Sequence, residues 1–204
     1  MSWPRKKVLP SAGDRMVTIS APLRIRVASA DLAQVSLTRS EPVLRIARAS
    51  FAAQVDASGL TVTEAELSGV RAAGIAGHVT VSGRVGGRFP YPLELAVDWV
   101  LDRSPLGQPG AEGSVLAVPP RGEVRLRGDL VDLSVEQRFL PEPGLRLRGH
   151  LSVFDRARGL ALASDLTLSW EGGRRLGPFR LPRPVGPGEI QLRGRPADYQ
   201  LRLD

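Results

Sequence analysis

Aliphatic and polar residues alternate with a period of two along nearly the whole chain. From Leu160 to Trp170 the even positions are Leu160, Leu162, Ser164, Leu166, Leu168 and Trp170, set against Ala161, Ala163, Asp165, Thr167 and Ser169. Leu93, Leu95, Val97, Trp99 and Leu101 alternate with Glu94, Ala96, Asp98, Val100 and Asp102. Leu145, Leu147, Gly149, Leu151 and Val153 alternate with Arg146, Arg148, His150 and Ser152. Successive side chains of a strand point to opposite faces, so each segment predicts a strand with one oily and one wet face. Val124 and Leu126 share the oily parity against Arg125 and Arg127, as does Leu192 against Arg193. The oily face is therefore expected to carry Leu93, Leu95, Val97, Trp99, Val124, Leu126, Leu145, Leu147, Leu151, Leu162, Leu166, Leu168, Trp170 and Leu192.

Further strands are predicted through Val17 to Val27, at Leu32 to Leu37, Val43 to Val55, Leu60 to Leu67 and Ile75 to Val85, with turns at Glu41-Pro42 and Ala57-Ser58-Gly59. No segment sustains an apolar period of 3.6; Ile46 to Val55 comes nearest and fits a bulged strand equally well. The expected fold is all-β: one meandering antiparallel domain over 16–204 after an irregular segment at 1–15. Arg103 to Gly113 and Glu171 to Gly188 are rich in Pro and Gly and are expected to be loops that hold no ladder.

One tripeptide recurs in strand context, as Leu126-Arg127-Gly128, Leu147-Arg148-Gly149 and Leu192-Arg193-Gly194, with Val81-Ser82-Gly83 as a degenerate copy. The spacings of the four glycines suit a hairpin-sized unit of about 22 residues added repeatedly. Glycine inside a strand lets a sheet bend.

Composition narrows the function more by what it lacks. The chain has no cysteine, so it has no disulfide framework and no thiolate nucleophile. His78 and His150 are the only histidines, fall on the wet parity and lack metal-ligand spacing, so both are expected at the surface. Gly83 to Gly87 lacks the Lys-Ser/Thr of a phosphate-binding loop, and Glu64 and Glu66 share a solvent face. No catalytic site, metal or cofactor is expected. No apolar run approaches the roughly 20 residues of a membrane-spanning helix, and Met1 to Lys7 lacks the apolar stretch of a secretory signal. The net charge of +7 is almost wholly arginine, since Lys6 and Lys7 are the only lysines among 28 basic residues. Arg24, Arg26, Arg125, Arg127, Arg146, Arg148, Arg193 and Arg202 lie along strand exteriors among carboxylates such as Glu123, Asp129 and Asp132. This reads as a solvated sheet face and not as a nucleic-acid site.

The segments Pro22 to Val27, Asp56 to Leu67, Tyr91 to Trp99, Gly122 to Leu130 and Gly144 to Leu151 resemble, in tandem, the periplasmic repeats of the TamB family of AsmA-like envelope proteins. The likeness is one of texture and covers about residues 16 to 204. It implies a sheet folded lengthwise into a U-shaped trough, a β-taco, whose apolar interior carries phospholipid between inner and outer membranes. It also implies a TamA-type outer-membrane barrel as partner, a periplasmic location and a role in outer-membrane biogenesis. Members of the family are several times longer and carry an N-terminal membrane anchor, so the chain is expected to be a slice of such a protein. About 12 strands at ~4.8 Å would give a trough on the order of 60 Å. Three other readings stand beside it: a structural or adhesive β-module closed by a second sheet, an arginine-rich domain for an anionic polymer, and, disfavoured by the irregular repeat, a β-helix carbohydrate enzyme.

Overall fold

The computed structural model describes residues 23–38, 42–72, 75–103, 116–141, 144–155, 159–195 and 198–203. They form thirteen strands: β1 (Ile25–Thr38), β2 (Pro42–Asp56), β3 (Gly59–Ala72), β4 (Ile75–Gly86), β5 (Leu93–Arg103), β6 (Arg121–Gly128), β7 (Leu133–Leu140), β8 (Leu145–Asp155), β9 (Gly159–Trp170), β10 (Gly173–Leu176), β11 (Phe179–Val185), β12 (Gly188–Arg195) and β13 (Asp198–Leu203). No helix occurs among the described residues. Eleven strands make one antiparallel sheet in chain order, except that β10 and β11 leave it as a hairpin and β12 returns to pair with β9. β1 and β13 are its two edges, so the curved sheet does not close into a barrel. Ten interstrand steps of ~4.8 Å give about 48 Å, shorter than the sequence suggested.

The register shows why the alternation matters. Cross-strand partners share a face, and one unbroken row runs Val27, Ala53, Val62, Gly83, Leu95, Leu126, Val135, Gly149, Leu166, Leu192. The adjacent row on the other face runs Arg26, Gln54, Thr61, Arg84, Glu94, Arg127, Ser134, His150, Asp165, Arg193. Arg125 lies across from Glu136 and then Arg148, and Arg146 across from Arg138, so the arginines stand opposite Val124, Leu126, Leu145 and Leu147 as the alternation predicts.

Where the apolar step lengthens from two residues to three, the ladder has a bulge. Register shifts fall between Val27 and Ala30, Val62 and Ala65, and Leu67 and Val70. Leu67 pairs with Val79 and Val70 with Gly77, positions of one parity, so the bulge keeps both residues on the oily face. It is centred on Gly69, at φ 61°, beside Ala47. On β1, Gln34 takes φ 56° between Leu32 and Val35, where the partner strand also advances by three, from Ala49 to Ile46, and the register does not shift.

Four expectations need correction or fall outside view. Val17 to Val27 and Leu32 to Leu37 are not two strands: β1 runs unbroken from Ile25, its bulge absorbing Ala28-Ser29, and 17–22 lie outside the described residues. The irregular segment expected at 1–15 also lies outside them. Glu171 to Gly188 is not ladder-free, because it contains the β10–β11 hairpin with Leu176 opposite Phe179. Its prolines are accommodated because the hairpin stands apart from the main sheet, where a missing N–H breaks no central ladder. Of Arg103 to Gly113, only Arg103 is described, as the last residue of β5.

The repeat glycines share an unusual backbone. Gly83, Gly128, Gly149 and Gly194 have φ of 134°, 125°, 149° and 140°, a region open essentially to glycine alone. All four lie in oily rows, and at Gly83, Gly128 and Gly149 the neighbouring backbone approaches closely where a side chain would otherwise stand. A Cβ on Gly83 would stand 2.0 Å from Glu94 O, and one on Gly149 2.0 Å from Asp165 O.

Few apolar side chains are buried. Among the described residues Ala49, Tyr91, Leu116, Leu133, Val135 and Phe154 qualify, together with Pro120 and Pro178. Two clusters brace opposite strand ends. At one, Phe89 packs edge-on against Phe154 and Tyr91, with ring centroids 5.0 and 6.1 Å apart, while Leu130 O accepts from Val153 N and Phe154 N. At the other, Trp99 meets Phe139 edge-on at 5.8 Å. Between the ends, cohesion rests on the ladder and on cross-strand neighbours, as in a quasi-one-dimensional array.

Candidate functional site

The register sets the residues expected on the oily face on one side of the sheet, except Leu162, which falls where β9 shifts register between Ala163 and Leu160 and has no cross-strand partner. Leu93 and Leu151 fall in one row, Leu95, Leu126, Leu166 and Leu192 in the next, Val97, Val124, Leu147 and Leu168 in a third. Trp99, Leu145 and Trp170 lie toward one set of strand ends, and Leu162 lies beyond Ser164 toward the other. All but Leu162 are half-buried, and Leu162 is 44% exposed. A face sealed beneath a second sheet would hold such residues close to fully buried. Among the described residues, no second sheet covers this one beyond the β10–β11 hairpin at one end.

The face is not purely apolar. Gln137 stands between Val124 and Leu147, and Ser164 between Leu151 and Gly194. Ser164 is 8% exposed and its Oγ has no hydrogen-bond partner. The tryptophans cover glycines of the next strand: the Trp99 ring lies over Gly122, and the Trp170 ring over Gly188. Trp170 Nε1 also donates to Gly186 O at 2.9 Å, so the indole is apolar on its ring face and satisfied at its edge.

The wet face is an ion-pair lattice. Glu94 lies 3.5 Å from Arg84 and 3.4 Å from Arg127, Glu136 lies 3.1 Å from Arg148 and 3.4 Å from Arg138, and Asp165 pairs with Arg193. Burial alone would raise the pKa of Glu136, but hydrogen bonds and charge from Arg148 and Arg138 outweigh it and hold the carboxyl below its usual value. Asp56 is also lowered, chiefly by the Ser58 side chain and backbone N–H, with Gln54 and Arg24 adding to the effect. His150 Nδ1 lies 2.8 Å from Asp132 Oδ1 and His78 Nε2 3.1 Å from Asp102 Oδ2, both in exposed pairs. Glu64 and Glu66 are exposed on one face. Among the described residues no cluster of His, Asp and Glu could hold a metal ion.

The β10–β11 hairpin was invisible as an element in the sequence. Its tip, Gly177-Pro178-Phe179, returns over the oily face: a Cβ on Gly177 would stand 3.3 Å from Phe139 Cβ. Pro178 O accepts from Ala117 N at 2.8 Å, and Phe179 bridges to Leu116, which is 1% exposed. Leu116-Ala117 and the second Pro/Gly-rich stretch thus meet over one end of the sheet. The overlooked signal was charge. Gly173–Val185 holds Arg174, Arg175, Arg180 and Arg183 and no carboxylate, unlike the mixed strands elsewhere.

No protein-family model, curated protein or solved structure matches the chain, so its fold and its half-buried apolar face stand as the findings on which function is argued.

Proposed function

We propose that this chain is a segment of a TamB-like, envelope-spanning protein whose apolar face serves as a groove for phospholipid acyl chains moving between inner and outer membranes. The observation that carries the reading is the single oily face, carried in register across the sheet and only half-buried along most of its length. An acyl chain laid on it removes methylenes from water at about 0.8 kcal/mol each, so ~14 methylenes recover ~11 kcal/mol of the cost of leaving a bilayer. Such a surface needs pattern and not particular residues, in keeping with a site that has no catalytic constellation.

In this reading the protein is not an enzyme and needs no cofactor. It works in the periplasm with a TamA-type outer-membrane barrel and contributes to outer-membrane biogenesis, and the remaining repeats extend the U-shaped trough. Photo-crosslinking from position 147 in cells tests it. Phospholipid adducts are expected; crosslinks to protein alone would favour a β-module whose face is closed by a partner sheet.

A further inference from the structure

On the sheet's wet face many arginines are paired with carboxylates, and those that are not, Arg26, Arg45, Arg71, Arg121 and Arg125, lie on strands spread across the sheet, whereas the hairpin gathers four arginines in thirteen residues with no carboxylate among them. Arg84 and Arg127 share Glu94, Arg138 and Arg148 share Glu136, and Arg193 has Asp165. Arg174, Arg175, Arg180 and Arg183 are exposed, and their side chains make no hydrogen bond or ion pair among the described residues. With no acidic residue in Gly173–Val185, these four supply more than half of the chain's net charge of +7. Arg175 and Arg180 are direct cross-strand partners. Like charges held opposite one another oppose pairing of the strands, and an anion between them would turn that repulsion into attraction.

Position selects the anion. The hairpin tip rests on Phe139, and its return is held by Trp170 Nε1 donating to Gly186 O. The free guanidinium groups therefore stand at one end of the oily face. A ligand satisfying both surfaces has a phosphate at one end and hydrocarbon at the other. Guanidinium presents a planar fork of N–H donors that matches phosphate oxygens two at a time.

We propose that the β10–β11 hairpin binds the phosphate headgroups of anionic phospholipid, holding them at the rim of the apolar face. This deepens the acyl-groove reading and rests on it for the tail, while the headgroup contact can be tested alone. The chain would be floated with phosphatidylcholine vesicles with and without phosphatidylglycerol, alongside Arg175→Gln/Arg180→Gln and, as a control of equal charge loss, Arg127→Gln/Arg148→Gln. Phosphatidylglycerol-dependent binding is expected to fall about thirtyfold in the hairpin variant and far less in the control. Circular dichroism verifies folding, and Arg175→Lys/Arg180→Lys, which keeps the charge, should retain most of the binding. Equal losses in hairpin variant and control would overturn the proposal, leaving only net charge. Tighter binding of a single-stranded oligonucleotide than of the anionic vesicles, lost in the same hairpin variant, would also overturn it in favour of an anionic polymer. Position-147 lipid adducts without phosphatidylglycerol dependence would sink the hairpin proposal alone; dependence without adducts would sink the groove alone.

Discussion

Replacing Gly149 with alanine tests whether the repeat glycines are structural necessities of the sheet. Gly149 has φ 149°, and a Cβ there would lie 2.0 Å from Asp165 O and 2.8 Å from Leu166 Cα. Ordinary contact is about 3.5 Å, so the facing peptide must retreat by about 1.5 Å. That is enough to break the hydrogen bonding where Gly149 pairs with Leu166. Losing two ladder bonds costs about 1–3 kcal/mol, and forcing alanine into this backbone region costs about 1–3 kcal/mol more. A central value of about 4 kcal/mol corresponds to a fall in melting temperature of roughly 8–16 °C for a domain of this size. Gly83→Ala should behave alike, since its Cβ would meet Glu94 O at 2.0 Å. Gly186→Ala is the control, because nothing lies within 4 Å of its Cβ. Thermal unfolding followed by circular dichroism reads all three. A Gly149→Ala protein melting within about 2 °C of the parent would refute the reasoning, since the strand would then accommodate a side chain at negligible cost.

Leu147→Arg should leave the sheet folded, with a loss of about 1–2 kcal/mol, because the half-exposed side chain can turn its charge to water; a fully buried site would lose several kcal/mol. Denaturant titration distinguishes the two, and collapse of the fold would argue for a closed core. Trp170→Phe removes the hydrogen bond to Gly186 O and should destabilise the hairpin's return by about 0.5–1.5 kcal/mol, seen as faster amide exchange in β10 and β11 with β2 to β4 unchanged. Acid should also act through Glu136. Its folded pKa lies below the ordinary 4.5, so its contribution is complete above that value and disappears as pH falls through the lower folded value. Stability of the parent should therefore drop more steeply below pH 4.5 than that of Glu136→Gln; identical acid profiles would remove the ion-pair account.

How much was legible in advance follows from the range of each interaction. Side-chain alternation is a property of single strands, so Leu93, Leu95, Val97 and Leu147 could be placed on one face, and their arginine neighbours on the other, from spacing alone. The repeat glycines were legible as in-strand positions for the same local reason, although their positive φ values were not. Bulges left only a faint trace, an apolar step of three at Val27 to Ala30 and Leu67 to Val70, and β1 was accordingly read as two strands. Tertiary structure decided what no local rule encodes. It left the eleven-strand sheet open and brought the Pro/Gly-rich hairpin back over Phe139 to meet Leu116. It also set Arg175 against Arg180. Alternation specifies which way each side chain points, but whether an oily face is covered, and which charges stand unpaired beside it, depends on contacts between segments far apart in the chain.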